Sequence, residues 1–359
     1  MSRFPGILRQ RSRRESGANL EASEMRALDL CCTDGLALTV SERPRVRSHP
    51  RDNPERRMNV RRAARESALE GLPSEQFVLQ VGPSSVALKG RLDPNGWPLD
   101  AAHHRFICPT AELDLTLRVR HGRSGVPRGK LAFRAGGVAA FYRDGAAWAI
   151  HLGENEDSSS ADRMVSLDIS GTTGTLVMDL DRSPDLAGTY PLQYPLEDLL
   201  FRHLLAEHHA LLVHACGVAW QGRGYLFIGS SGSGKSTTAR LWKAAGSTVL
   251  NDDRVVLHAS PDGVFIHPTP WFGDYPDVGA EAVPLAGLYL LQKGSEVAFE
   301  PIRSARAAAL LFAKSFPPLW DPERMARTLE TLDLVCQQVP CAWLTVPPDQ
   351  RALAWVQAH

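Results

Sequence analysis

The sequence predicts an α/β protein: a β-rich region over 73–190 precedes a mixed α/β domain over 191–359, with a polar extension over 1–72 in front of both. Three observations lead there. Short segments of alternating polarity fill the first region, as half-buried strands do. In the second, an apolar strand runs into the glycine-rich stretch Gly229–Thr237 and then into a helical pattern. The next apolar strand ends in Asn251-Asp252-Asp253.

At 359 residues the chain exceeds one average domain, and 43% hydrophobic with 22% charged residues is a globular composition. The 40 basic and 40 acidic residues cancel, so no global field points to a nucleic-acid partner. Six cysteines show no C-x-x-C pairing and no secreted-type framework, which suits a reduced, cytoplasmic setting. The opening MSRFPGILRQRSRRE has too short an apolar run for a signal peptide, and no segment offers the roughly 18 apolar residues of a membrane span. No membrane partner is expected.

Residues 1–72 contain the pairs Arg13-Arg14, Arg56-Arg57 and Arg61-Arg62 among interspersed acids and lack apolar periodicity. They read as a disordered extension, or as sequence upstream of a later start at Met58. From Phe77 to Leu180 the segments FVLQV, LDLTLRV, KLAFRA, VAAFYR, VSLDIS and TLVMDL alternate as strands between Gly, Pro, Asp and Ser clusters. This region carries no catalytic cluster, and His103-His104 has no partners at metal-ligand spacing.

Tyr194 to Ala210 places Leu196, Leu199, Leu200, Leu204 and Leu205 on one helical stripe; no ligand role is assigned to His203, His208 or His209. Two apolar strands follow, Leu211 to Trp220 and Tyr225 to Ile228. Gly229-Ser230-Ser231-Gly232-Ser233-Gly234-Lys235-Ser236 then satisfies G-x-x-x-x-G-K-[ST], with Thr237 opening the helix. Glycines let the backbone wrap phosphate with its N–H groups inward, and the helix adds the positive end of its dipole. Lys235 would reach the β- and γ-phosphates of ATP, and the Ser236 hydroxyl would ligate Mg²⁺.

The Asp pair follows at about the span of one crossover helix, at a strand tip where α/β sheets hold ligands. In phosphoryl transfer one such carboxylate holds Mg²⁺ and the other accepts the proton of an attacking hydroxyl. Arg254 follows directly; Trp271 is a candidate to pack on adenine or a substrate chain, and Arg303 and Arg306 open a helical stretch through Lys314. Asp321 to Gln338 reads as an amphipathic helix, and Ala342 to Val346 as a strand.

The run VHACGVAWQGRGYLFIGSSGSGKSTTARLWKAAGSTVLNDDRVVL resembles the catalytic domain of HPr kinase/phosphorylase and its relatives, which share a fold with ATP-dependent phosphoenolpyruvate carboxykinase. There too a His-bearing strand precedes a hairpin, a P-loop with its helix, and a strand closing in Asp-Asp; here these are His214, Gly229 to Ser236, and Asp252-Asp253. HPr-kinase-like proteins found with peptide-modification gene clusters, including lasso-peptide-precursor serine kinases, are similar further on, at Thr269-Pro270-Trp271. The resemblance spans about Leu211 to Thr345. It implies Asp252 as proton acceptor, Asp253 as the metal-linked carboxylate and His214 near the transferred phosphate, with the two aspartate roles interchangeable on sequence grounds. No counterpart of the arginine-containing signature tied to phosphorolysis is visible, nor the residue set that binds oxaloacetate.

The expectation is an ATP- and Mg²⁺-dependent kinase that phosphorylates a hydroxyl, serine first, on a peptide or small protein. Two other readings stay open: an ATP-binding regulatory or assembly module with slow hydrolysis, and a small-metabolite kinase. HPr kinases are oligomers, so the resemblance also allows a homo-oligomer.

Overall fold

The computed structural model describes residues 76–90, 97–108, 111–135, 138–153, 161–168, 170–230, 233–279, 281–347, 351 and 356. The extension over 1–72 lies outside them, as do Ser231 and Gly232 of the glycine-rich loop. The architecture is mixed α/β with two sheets. Among the described residues no helix is long and apolar enough to cross a membrane.

The first sheet holds β1 (Gln76–Val81), β2 (Ser84–Lys89), β3 (Leu115–His121), β4 (Lys130–Ala135), β5 (Ala139–Asp144), β6 (Ala147–Leu152), β7 (Arg163–Leu167) and β8 (Thr173–Met178), ordered β1-β2-β3-β8-β7-β6-β5-β4. Alternation foretold most of these. It missed β2 and β6, whose SSVALK and AWAIHL are buried on nearly every residue and so show no period of two.

The second sheet holds β9 (Ala210–His214), β10 (Cys216–Trp220), β11 (Arg223–Ile228), β12 (Thr248–Asn251), β13 (Arg254–Ser260), β14 (Gly263–His267), β15 (Val283–Lys293), β16 (Ala298–Pro301) and β17 (Cys341–Val346). Its main path is β12-β10-β11-β15-β14-β13-β9, and β17 joins beside β15. Strands β11, β15 and β17 run parallel, so their carboxyl ends share one edge.

Four α-helices are described: α1 (Leu196–Leu205), α2 (Lys235–Ala244), α3 (Ser304–Phe312) and α4 (Pro322–Gln338). Helix α4 shows how local sequence sets an element. Asp321 caps it by accepting from the N–H groups of Glu323 and Arg324, Pro322 supplies a preset φ at the first position, and Thr328, Thr331, Leu332, Val335 and Cys336 form its buried stripe. Helix α2 packs on the other side of the parallel strands, where Trp242 stacks on Tyr225 with ring centres 5.4 Å apart.

The two sheets are tied by specific contacts. Trp320 stacks on Phe141 at 4.2 Å, His208 Nε2 lies 2.6 Å from Asp114 Oδ1, and a side chain at Gly82 would meet Val256 at 3.0 Å. Buried Glu197 receives Trp271 Nε1–H at 2.8 Å and lies 3.4 Å from His103 Nε2. Trp271, half-buried and in a T-shaped contact with Phe201 at 5.8 Å, also joins α1 to the second sheet.

Candidate functional site

Ala210 to Trp220 is not one strand, and the break creates the site. Strand β9 pairs with β13, and β10 pairs with β12, both antiparallel. The pairing changes at Ala215, whose N–H donates to the Asp253 carbonyl at 3.0 Å, and His214 stands opposite Arg254. The Asp252-Asp253 turn and His214 thereby meet where two strand pairs diverge.

The turn is built by its neighbours in sequence. Asn251, fully buried, accepts from the N–H groups of Asp253 at 2.8 Å and Arg254 at 3.0 Å through Oδ1, an Asx turn. Its amide donates to the Thr269 carbonyl at 3.0 Å, while Thr269 Oγ1 donates to the Arg254 carbonyl at 2.7 Å. Asn251 and Thr269 thus clamp the aspartates from both sides.

The two carboxylates differ. Asp252 is 4% exposed and accepts the N–H groups of Gly273 and Asp274, each at 2.9 Å. Burial raises its pKa above the ordinary value, against those amides. Asp253 is 31% exposed, with Oδ1 3.0 Å from His214 Nδ1 and Oδ2 3.3 Å from Arg254 Nε. Burial works to raise its pKa too, but the His214 hydrogen bond and the charges of Arg254, His214 and Lys235 outweigh it and hold the group below the usual range.

Behind Asp253 lies a network that sequence reasoning missed. Arg254 Nη1 donates to Asp198 at 2.8 Å, Arg202 pairs with the same carboxylate at 2.5 Å, and both guanidinium groups lie over the ring of Phe316, at 4.9 and 4.8 Å. Asp198 sits on α1, 56 residues before Arg254, and looks in sequence like an ordinary first-turn acid.

The glycine-rich loop leaves β11 at the edge shared by the parallel strands. A Cβ on Gly229 would lie 2.7 Å from Ser233 Cβ, so only glycine fits, and Gly234, at φ 107°, turns the chain into α2. The Lys235 amine donates to the carbonyls of Gly229 at 2.8 Å and Ser230 at 3.4 Å. Burial lowers its pKa, with Lys314 acting in the same direction and Asp253 against it. Ser233 Oγ is buried with no hydrogen-bond partner among the described residues. Ser236 is half-buried and Thr237 exposed on the first turn of α2.

His214, Asp252, Asp253 and Lys235 are therefore brought together, with Lys314 added through its carbonyl, which accepts the His214 N–H at 2.7 Å. Arg303, just before α3, and Arg306, on it, are exposed.

A family model described as SynChlorMet cassette protein ScmC matches residues 198–331, from Asp198 through the loop and the Asp pair into α4. The comparison with curated proteins yields no match.

Proposed function

We propose that the chain is a P-loop phosphotransferase of the HPr kinase type that phosphorylates a hydroxyl, serine first, of a peptide or small protein. The observation that carries this reading is the His214–Asp253 pair, a partly exposed carboxylate fixed by an imidazole beside the lysine of a glycine-rich loop.

The loop suits a triphosphate on its own chemistry. Gly229 leaves space that a Cβ would fill, the Lys235 amine rests on loop carbonyls that are weak substitutes for phosphate oxygens, and Ser233 Oγ has no hydrogen-bond partner among the described residues. Gly229, Ser230, Ser231, Gly232, Ser233, Gly234, Lys235, Ser236 and Thr237 would hold the phosphates of ATP. Mg²⁺, held by the Ser236 hydroxyl, would supply charge neutralisation along the phosphates.

The carboxylate geometry favours Asp253, not Asp252, as the acceptor of the hydroxyl proton. Both Asp252 oxygens already take backbone N–H groups, so its work is to hold the 273–275 turn. Asp253 stays ionised and reachable, and His214 and Arg254 fix its two oxygens. Lys235 would offset charge on the terminal phosphates as the acceptor oxygen bonds to phosphorus and ADP departs.

The test is a pair of measurements on wild type and Asp253→Asn: MgATP affinity by calorimetry, and transfer of γ-label to serine-containing peptides. The reading expects equal affinity and a transfer rate lower by about two to four orders of magnitude. Transfer unaffected by the substitution would refute it.

A further inference from the structure

A second feature borders the loop on the side away from the aspartates. In the order β12-β10-β11-β15, with β17 beyond, the loop follows the central β11 and the Asp pair ends β12. Over the carboxyl ends of β15 and β17 lies a cavity of about 270 Å³, roofed by α2. Its walls are Phe227, Leu241, Leu291, Leu344 and Val346, with Lys293 exposed at its edge. Ser233, Gly234 and Thr237 belong both to its wall and to the loop.

We infer that this cavity receives the base of the nucleotide and holds it by its faces, so that adenine and guanine nucleotides are both accepted. This rests on reading the loop as a triphosphate site. The sheet order gives the direction: a molecule with phosphates on the loop and its terminal phosphate toward Asp253 has its other end over β15 and β17. Crevices outside the carboxyl ends of parallel strands are where α/β sheets bind ligands.

The wall chemistry gives the specificity. Reading guanine requires an acceptor for its N1–H and exocyclic amine, usually a carboxylate, and reading adenine requires an acceptor for N6. Among the described residues of the wall there is no Asp, Glu, Asn or Gln; the side chains with polar atoms are Ser233, Thr237, Thr238, Trp242 and Lys293. Largely apolar walls of aliphatic and aromatic side chains reward buried area, which the two purines offer almost equally. The Lys293 ammonium, at the edge, suits the ribose or the first phosphate.

The experiment is calorimetric titration of the full chain with the magnesium complexes of ATP, GTP and inorganic tripolyphosphate, repeated on Leu241→Trp and Val346→Trp. Each variant fills the cavity, one from α2 and one from β17, and circular dichroism checks that each is folded. ATP is expected to bind at least about tenfold more tightly than tripolyphosphate, with GTP within about tenfold of ATP. Val346→Trp, and Leu241→Trp if its helix is undisturbed, should bring ATP down to the tripolyphosphate level while leaving tripolyphosphate unchanged. The inference is overturned if ATP binds no better than tripolyphosphate, if Val346→Trp leaves ATP affinity intact, or if GTP is excluded. Should none of the three bind, the triphosphate reading of the loop falls, and the inference with it.

Discussion

The imidazole of His214, at the last position of β9, places Nδ1 3.0 Å from a carboxylate oxygen of Asp253, 39 residues later, and 3.0 Å from the carbonyl of the same residue. One ring nitrogen thereby lies against both the side chain and the backbone of the partly exposed aspartate, while its neighbour Asp252 faces the other way into the 273–275 turn.

That division of labour separates two substitutions that look alike in sequence. Asp252→Asn puts an amide where two backbone N–H groups need acceptors, and is expected to lower the unfolding free energy by about 1–3 kcal/mol in urea titrations. Asp253→Asn, partly exposed, should cost less stability and more transfer. Equal destabilisation by the two would contradict the assignment.

Gly229→Ala introduces a Cβ 2.7 Å from that of Ser233. The loop must open to admit it, so MgATP affinity is expected to fall about tenfold or more, with little change in the thermal midpoint. Calorimetry and a melting curve on one preparation check both; an unchanged affinity would mean that the loop does not wrap phosphate.

Asp198 is 2% exposed and neutralises two guanidinium groups. Asp198→Asn leaves Arg202, 11% exposed, without its carboxylate and Arg254, 19% exposed, with Asp253 alone. A loss of about 3–5 kcal/mol is expected, as when one partner of a buried ion pair is removed. Chemical denaturation of the variant measures it, and a loss under about 1 kcal/mol would assign the pair to the weak surface class.

His103 supplies a pH signature. Burial works to lower its pKa, but hydrogen bonds to Asp100 and Glu197 prevail and raise it from 6.5 to about 10. The folded state keeps a proton that the unfolded chain gives up near pH 6.5, so this stabilisation is complete below about 6.5 and is lost as pH rises toward about 10. Urea midpoints should fall across that window in wild type and fall less in His103→Gln; parallel curves would contradict the shift.

Much of this was legible in the sequence because its signals are local. The loop, its helix, the Asp pair and the apolar stripe of helix α4 each depend on residues within a few turns of one another. What stayed hidden depends on pairing across distance. Leu211 to Trp220 reads as one apolar strand, and only its switch from β13 to β12 shows why His214 faces Asp253. The contacts of Trp271 with Glu197 and Phe201 on α1 likewise join residues about seventy positions apart. Asp198 and Phe316 carry no motif, and the cavity beside α2 is a property of three strands at once.

The most direct measurement is mass spectrometry of serine-containing peptides incubated with the full chain and MgATP, beside the same reaction with Asp253→Asn. The account predicts one added phosphoryl group on a hydroxyl side chain with wild type and none with the variant. ATP hydrolysis at equal rates in both proteins, with no peptide modified, would contradict it.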